Sequence, residues 1–356
     1  MRGKAPTQPT FVFAIDIEAK IKPSHPLRKI KAMADGILSS MDDLFDQMYS
    51  SWGRASIPPE RLLKAKLLQA LYSIRSARQI CDRLETDLLF RWFLDMNPDE
   101  PAFDASTFSQ NQERLLTHDV AKEFLNRIVL MAKGKGLISD DHFSADGTLI
   151  EAWAAMKSFR PKDEKPGPGP GNSWTDFKGE KRSNETHAST SDPQAKLLRK
   201  GDGRESKLVF LGHTLMENRN GLCVSFKITE AVGVGEPAGA ISQLDELAKI
   251  GIEVKTLGAD KGYHNEDFIS ECRVRGVAPH VALISNRRQM RVRRGTGYHI
   301  SQVIRKRIEE IHGWLKTVGR VRKTLFRGVQ RVDADAKYNV CALNLLRIAK
   351  LLEAPG

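Results

Sequence analysis

Cysteine is scarce in this chain: four residues in 356, at Cys81, Cys223, Cys272 and Cys341, none at C-x-x-C spacing. That excludes a disulfide framework and a cysteine zinc site, and leaves the four as small core residues of a protein kept reduced. Long apolar runs are also missing. No stretch approaches the roughly 18 apolar residues of a membrane span, so no membrane association is expected. Met1-Arg2-Gly3-Lys4 is not followed by the apolar stretch of an export signal, so a cytoplasmic protein is expected. The most telling scarcity is local. From Ser285 to Arg331 there are 14 Lys or Arg and just two acids, Glu309 and Glu310. The rest of the chain is balanced, so this segment holds the whole net charge of +12. A positive field so concentrated suits a polyanion such as nucleic acid.

Within that segment, residues 302–318 read as one helix. With Glu309 set at zero and about 100° per residue, Arg305 falls near −40°, Lys316 near −20° and Gln302 near +20°. Ile304, Ile308, Ile311, Leu315 and Val318 gather on another face, around −140°. One stripe therefore packs on a core, and its neighbour carries a carboxylate bracketed by two cations. Carboxylates suit hard metal ions and guanidinium suits phosphate, which points to phosphodiester chemistry. Glu310 lies about 100° away from that stripe.

Residues 26 to about 135 read as helical. Pro58-Pro59 opens a helix with Leu63, Leu67, Ala70 and Leu71 on one face. A second helix from Ala77 to Leu84, N-capped by Ser76, follows a tight turn, and the pair resembles a helix-turn-helix. Further helices start at Asp104 and cover 118–136. From Asp141 the texture changes. Residues 142–150 alternate like a strand, and Lys157 to Ser206 form a polar tract with Gly/Pro repeats at 166–171, expected as a long loop or insertion. Strands at 207–215 and 222–229 are joined through Asn220-Gly221, a hairpin signal. Helix 237–249, strand 254–259, helix 265–275 and strand 277–284 come next. The order implies a mixed α/β sheet with an antiparallel start and right-handed crossovers.

Asp260 stands where the 254–259 strand ends, the place where ligand-binding residues of α/β sheets collect. Asp146 lies on the first strand, which in this order can be central and adjacent. Glu309 comes from the overlying helix. The three could meet around one or two Mg²⁺ and promote in-line displacement at phosphorus. The alternatives are a turn cap for Asp260 and a surface ion pair for Glu309. Asp16 has a similar strand-like setting but no sheet after it, and ranks below Asp146.

These residues carry a resemblance. Phe143-Ser144-Ala145-Asp146-Gly147-Thr148-Leu149-Ile150-Glu151-Ala152-Trp153, Leu257-Gly258-Ala259-Asp260-Lys261-Gly262-Tyr263 and the Arg-x3-Glu-x6-Lys spacing of Arg305, Glu309 and Lys316 resemble the motifs of DDE transposases of bacterial insertion sequences, in the insertion-sequence-five-like group. Gln302 stands where the family's fuller pattern has tyrosine. Tyr298 is nearby and out of register. Ser76-Ala77-Arg78-Gln79, residues 104–109 and the 178–190 segment with His187 add further similarity.

The resemblance implies a ribonuclease-H-like catalytic core at 137–332, its mixed sheet flanked by helices, with the insertion at 157–206. An all-helical DNA-binding domain would occupy 1–136 and a C-terminal helix 333–356. It implies cut-and-paste transposition, with Asp146, Asp260 and Glu309 as catalytic and metal-binding residues for two Mg²⁺ or Mn²⁺ ions. Arg305 and Lys316 would hold flanking phosphates. Arg287, Arg288, Arg291, Arg293 and Arg294 would add sequence-independent DNA affinity. The partners would be double-stranded DNA, both terminal inverted repeats and target, and a second copy of the chain when two ends are synapsed, at the nucleoid. A metal-dependent nuclease that does not join ends, or an inactive DNA-binding regulator, are the alternatives.

Overall fold

The computed structural model describes residues 16–49, 56–162, 182–199, 203, 205–232, 235–284 and 295–353. Its first half is helical: α1 (Ile17–Lys20), α2 (Leu27–Ser39), α3 (Asp42–Met48), α4 (Pro59–Leu71), α5 (Ala77–Thr86), α6 (Leu88–Phe93), α7 (Ala105–Thr117) and α8 (Val120–Gly134). The caps are those the sequence offers. Ser76 accepts from the Gln79 amide, and Asp104 accepts from the amides of Ser106 and Thr107. Asp16 is the N-cap of α1, accepting from Ala19. Its strand-like setting therefore has a local, structural explanation.

The sheet follows, as β1 (His142–Glu151), β4 (Lys196–Arg199), β5 (Ser206–Glu217), β6 (Cys223–Glu230), β7 (Thr256–Ala259) and β8 (Ala278–Val281). A separate ribbon pairs β2 (Phe159–Pro161) with β3 (His187–Ser189). The main sheet runs β4-β5-β1-β7-β8, with β6 also on β5. β1, β5 and β6 pair antiparallel, while β7 and β8 join in parallel. That is the expected antiparallel start with parallel crossovers, and it puts β1 in the middle. Helices α9 (Gly235–Lys249) and α10 (Glu266–Val274) make the crossovers. Helices α11 (Thr296–Ile304) and α12 (Ile308–Thr317) lie over the other face.

Three expectations need correction. The polar tract is not all loop: its described parts form β2, β3 and β4, because Phe159 and His187 stack at 5.5 Å and Leu197 and Leu198 extend the sheet along β5. His187 is thus buried in the ribbon. The expected single helix over 302–318 is divided by a tight 3₁₀ turn at Arg305–Arg307, although Arg305, Arg307 and Ile308 keep right-handed helical angles. Finally, the last helix, α13 (Val329–Leu351), starts earlier than 333 and is buried over much of its length. It packs on α4 and α8 as well as on β6, so the helical half and the sheet share one continuous core. The Gly/Pro repeats and Arg287 to Arg294 lie outside the described residues. Among the described residues no helix is long and apolar enough to cross a membrane.

On the face covered by α9, Gly239 lies against the buried imidazole of His213. A Cβ there would stand 2.2 Å from Nδ1. The opposite ring nitrogen, Nε2, is 2.8 Å from Thr229 Oγ1. Burial, with Lys227 nearby, pushes His213 down to about 4. The native state therefore refuses a proton that an unfolded histidine accepts below about pH 6.5. Stability should be flat above that pH and fall as pH drops from about 6.5 to 4, by about 3 kcal/mol in total. Denaturant titrations of wild type and His213→Gln at pH 7.5 and 4.5 check this. The acid-induced drop should be smaller in the variant, and equal drops would contradict the assignment.

Candidate active site

The parallel ladder between β1 and β7 pairs His142 with Thr256, Phe143 with Leu257 and Ser144 with Gly258, and ends there. Two residues further along each strand stand Asp146 and Asp260. Side chains alternate across a strand, so Asp146 projects from the face that carries Ser144, and the charge of Asp260, just past β7, acts on it. Asp260 sits just past β7, where its carboxylate also caps the following 3₁₀ turn, accepting from the Gly262 amide at 2.8 Å. The turn-cap alternative and the site reading therefore describe the same atom group.

Asp146 is pushed up to about 7. Burial is the main cause, followed by the negative charges of Asp260 and Glu236, and opposed by the Gly147 amide and Arg305. Two or three carboxylates facing one another with little water disfavour full ionisation. The oxygen-only donor set suits a hard divalent cation, whose charge would relieve the repulsion. Among the described residues, no group of three His, Cys, Asp or Glu is drawn together tightly enough to cage an ion.

Helix α11 approaches the sheet closely because Gly258 has no side chain. A Cβ there would meet Ser301 Oγ at 2.7 Å and Arg305 Cβ at 3.5 Å. Gln302 fills the position of the family tyrosine with a different contact set. Its amide donates to the carbonyls of His280, at 2.5 Å, and Ala259, at 3.5 Å, and its oxygen accepts from Arg305 Nε at 2.9 Å. Gln302 thus ties the ends of β7 and β8 to the guanidinium next to Asp146. One turn on, Ile308, Ile311 and Leu315 are buried as the helical reading requires. Glu309 is exposed, between Arg305 and His312 on one stripe. Both of those residues reach Asp146: Arg305 through its field, His312 with Nδ1 3.5 Å from Asp146 Oδ2. Glu310 points elsewhere, to Arg347 of α13 at 3.2 Å.

Lys316, at the end of the stripe, lines a cavity of about 630 Å³ between the α4–α5 connection and the segment after α12. Lys66, Arg75, Arg320, Arg322 and Lys323 share its walls with a single carboxylate, Asp335. Ser73 Oγ donates to the Val318 carbonyl at 2.8 Å, and Arg320 to that of Gln69 at 3.4 Å. The tight turn of the helix-turn-helix-like pair is therefore docked on the segment that follows α12.

A model described as "Transposase DDE domain" matches residues 174–345, and one described as "Transposase domain (DUF772)" matches 15–114. Together they span most of the chain. The chain belongs to the insertion-sequence-type DDE transposases. The transposase's DDE match contains Asp260 and Glu309 and begins after Asp146. As a DNA transposase of this family it catalyses metal-dependent DNA cleavage and strand transfer, and the family uses divalent metal ions. No curated protein matches the chain. Solved structures that resemble this transposase include a piggyBac transposase synaptic complex with hairpin DNA, at 9% identity and TM-score 0.40, covering 92% of this chain and 76% of that one. A pre-cleavage Mos1 transpososome is similar at 10% identity and TM-score 0.22, covering 78% and 83%.

Two neighbours of Asp146 were not foreseen. Glu236, at the start of α9, comes in from the other side of β1: a Cβ on Gly147 would lie 2.2 Å from its Oε1. His312 reads in the sequence as one more residue of a helix near the core. Gly147→Ala should displace the Glu236 carboxylate and the adjacent Asp146 backbone. Misplacement on that scale should slow DNA cleavage by about 10²-fold. Single-turnover cleavage of a DNA carrying the element's end checks this, and an unchanged rate would show that the close approach at Gly147 is immaterial.

Proposed function

We propose that Asp146, Asp260 and Glu309 are the catalytic acidic residues of this transposase and hold its divalent cation, Mg²⁺ or Mn²⁺, with two ions when DNA is bound. The observation that carries this reading is that Asp146 and Asp260 both follow the end of the β1–β7 ladder, with the Asp260 charge acting on Asp146. The mutual repulsion felt at Asp146 and the position of Glu309 between Arg305 and His312 support it. When bound, the cation supplies neutralisation of the carboxylates and polarisation of the attacking water or 3′-hydroxyl.

The chain's own residues do the rest. Arg305, held by Gln302, presents its fork to a phosphate next to the scissile bond, and Lys316 provides a point charge about three turns on. The cation-lined cavity continues that positive surface towards the helical half. Arg287, Arg288, Arg291, Arg293 and Arg294 add salt-dependent affinity for any DNA. The helical region, residues 1–136, reads the terminal inverted repeats, the catalytic domain spans 137–332, and two copies assemble on two ends at the nucleoid. The Arg-x3-Glu-x6-Lys spacing supports placement in the insertion-sequence-five-like group.

Glu309→Gln keeps shape and removes charge. It should lower Mg²⁺-dependent cleavage and strand transfer by several kcal/mol, about 10³-fold. Glu310→Gln loses ion pairs of an exposed carboxylate with Arg347 and Arg307 and should stay within about twofold. End-cleavage and strand-transfer assays on both variants decide the matter. Full activity in Glu309→Gln, or equal losses in the two, would remove Glu309 from the site.

A further inference from the structure

His312 stands between two strands. Its Nε2 is 2.9 Å from Thr214 Oγ1 on β5, and its Nδ1 faces Asp146 Oδ2 on β1 at 3.5 Å. Thr214 and Asp146 are themselves register partners across the β1–β5 ladder. The imidazole is buried, at 8% exposure. With Asp146 ionised and the imidazole neutral, one proton arrangement avoids opposing lone pairs: Nδ1–H points at the carboxylate, Nε2 accepts, and the Thr214 hydroxyl donates. A side chain wedged in this way has a fixed ring plane and a fixed tautomer. It also sits one turn after Glu309 on α12, so it spans the gap between the strand bearing one acid and the helix bearing another.

We propose that His312, oriented by Thr214, is a positioning residue that fixes the Asp146 carboxylate and sets its separation from Glu309. The pair acts through Asp146 and touches neither substrate nor cation. At 3.5 Å the contact to Asp146 is an electrostatic one, longer than a good hydrogen bond. Outer partners of this kind typically change metal affinity by about 10- to 100-fold.

The inference rests on the reading of Asp146 as a metal ligand, so Asp146→Asn is measured alongside. The full chain is titrated with Mn²⁺ and the free ion followed by electron paramagnetic resonance, with thermal unfolding recorded for each variant. His312→Phe fills the same volume without polar atoms and should weaken Mn²⁺ binding by about tenfold or more at unchanged Tm. His312→Gln, which keeps a donor and an acceptor, should recover most of the affinity. Thr214→Val removes the hydroxyl alone and should weaken binding several-fold, which keeps the test open if His312→Phe does not fold. Wild-type affinity in both His312→Phe and Thr214→Val, or equal loss in the Gln and Phe variants, would overturn the positioning role. If Asp146→Asn binds Mn²⁺ like wild type, the metal-ligand reading itself fails. If Asp146→Asn loses affinity while His312→Phe keeps it, only the positioning role fails.

Discussion

Repulsion between carboxylates at one end of a parallel strand pair organises this molecule. β1 and β7 part after Ser144 and Gly258, and Asp146 and Asp260 both follow the end of that ladder. Burial and like charge hold Asp146 up to about 7. A structure that gained nothing from these groups would do better with apolar residues there. Much of the surrounding architecture brings compensating groups to that point. Gly258 lets α11 come close enough for Arg305 to reach it, Gln302 fastens Arg305, and the Gly147 and Gly262 amides lie beside the two acids.

The same arrangement explains how the two halves of the chain cooperate. α13 packs against both the helical region and β6, and one core runs through them. The α4–α5 connection is docked beside the end of α12, through Ser73 on Val318 and Arg320 on Gln69. Arg320 takes left-handed backbone angles there, with φ 61°, a conformation that costs a non-glycine residue on the order of 1 kcal/mol. On the proposed function, DNA held by the helical region and DNA held at the carboxylates would meet across the cation-lined cavity between them.

The sheet order and the places of Asp146, Asp260 and Glu309 were legible in the residues. Strand-end placement marked Asp260, the opening strand marked Asp146, and helical angles separated the Glu309 stripe from Glu310, which the fold sends to Arg347. What stayed hidden shares a physical cause: it depends on contacts between elements distant in sequence. Glu236 reaches Gly147 from a helix nearly ninety residues later, and nothing in its Gly-Glu-Pro setting announces that. His312 gains its meaning only from Thr214, 98 residues before it. Gln302 departs from the family tyrosine, yet its amide bridges two strand ends that no local pattern brings together. The described parts of the polar tract form strands because a ribbon and a sheet edge were available to them, which composition does not reveal.

The central claim concerns which acids share the ion. Anomalous scattering from crystals of the full chain with Mn²⁺ and an end-bearing duplex measures that directly. Manganese is expected within about 2.2 Å of oxygens from Asp146 and Asp260, with Glu309 completing the protein ligands. Manganese bound by Asp146 and Asp260 together with Glu236, while Glu309 points to solvent, would contradict it.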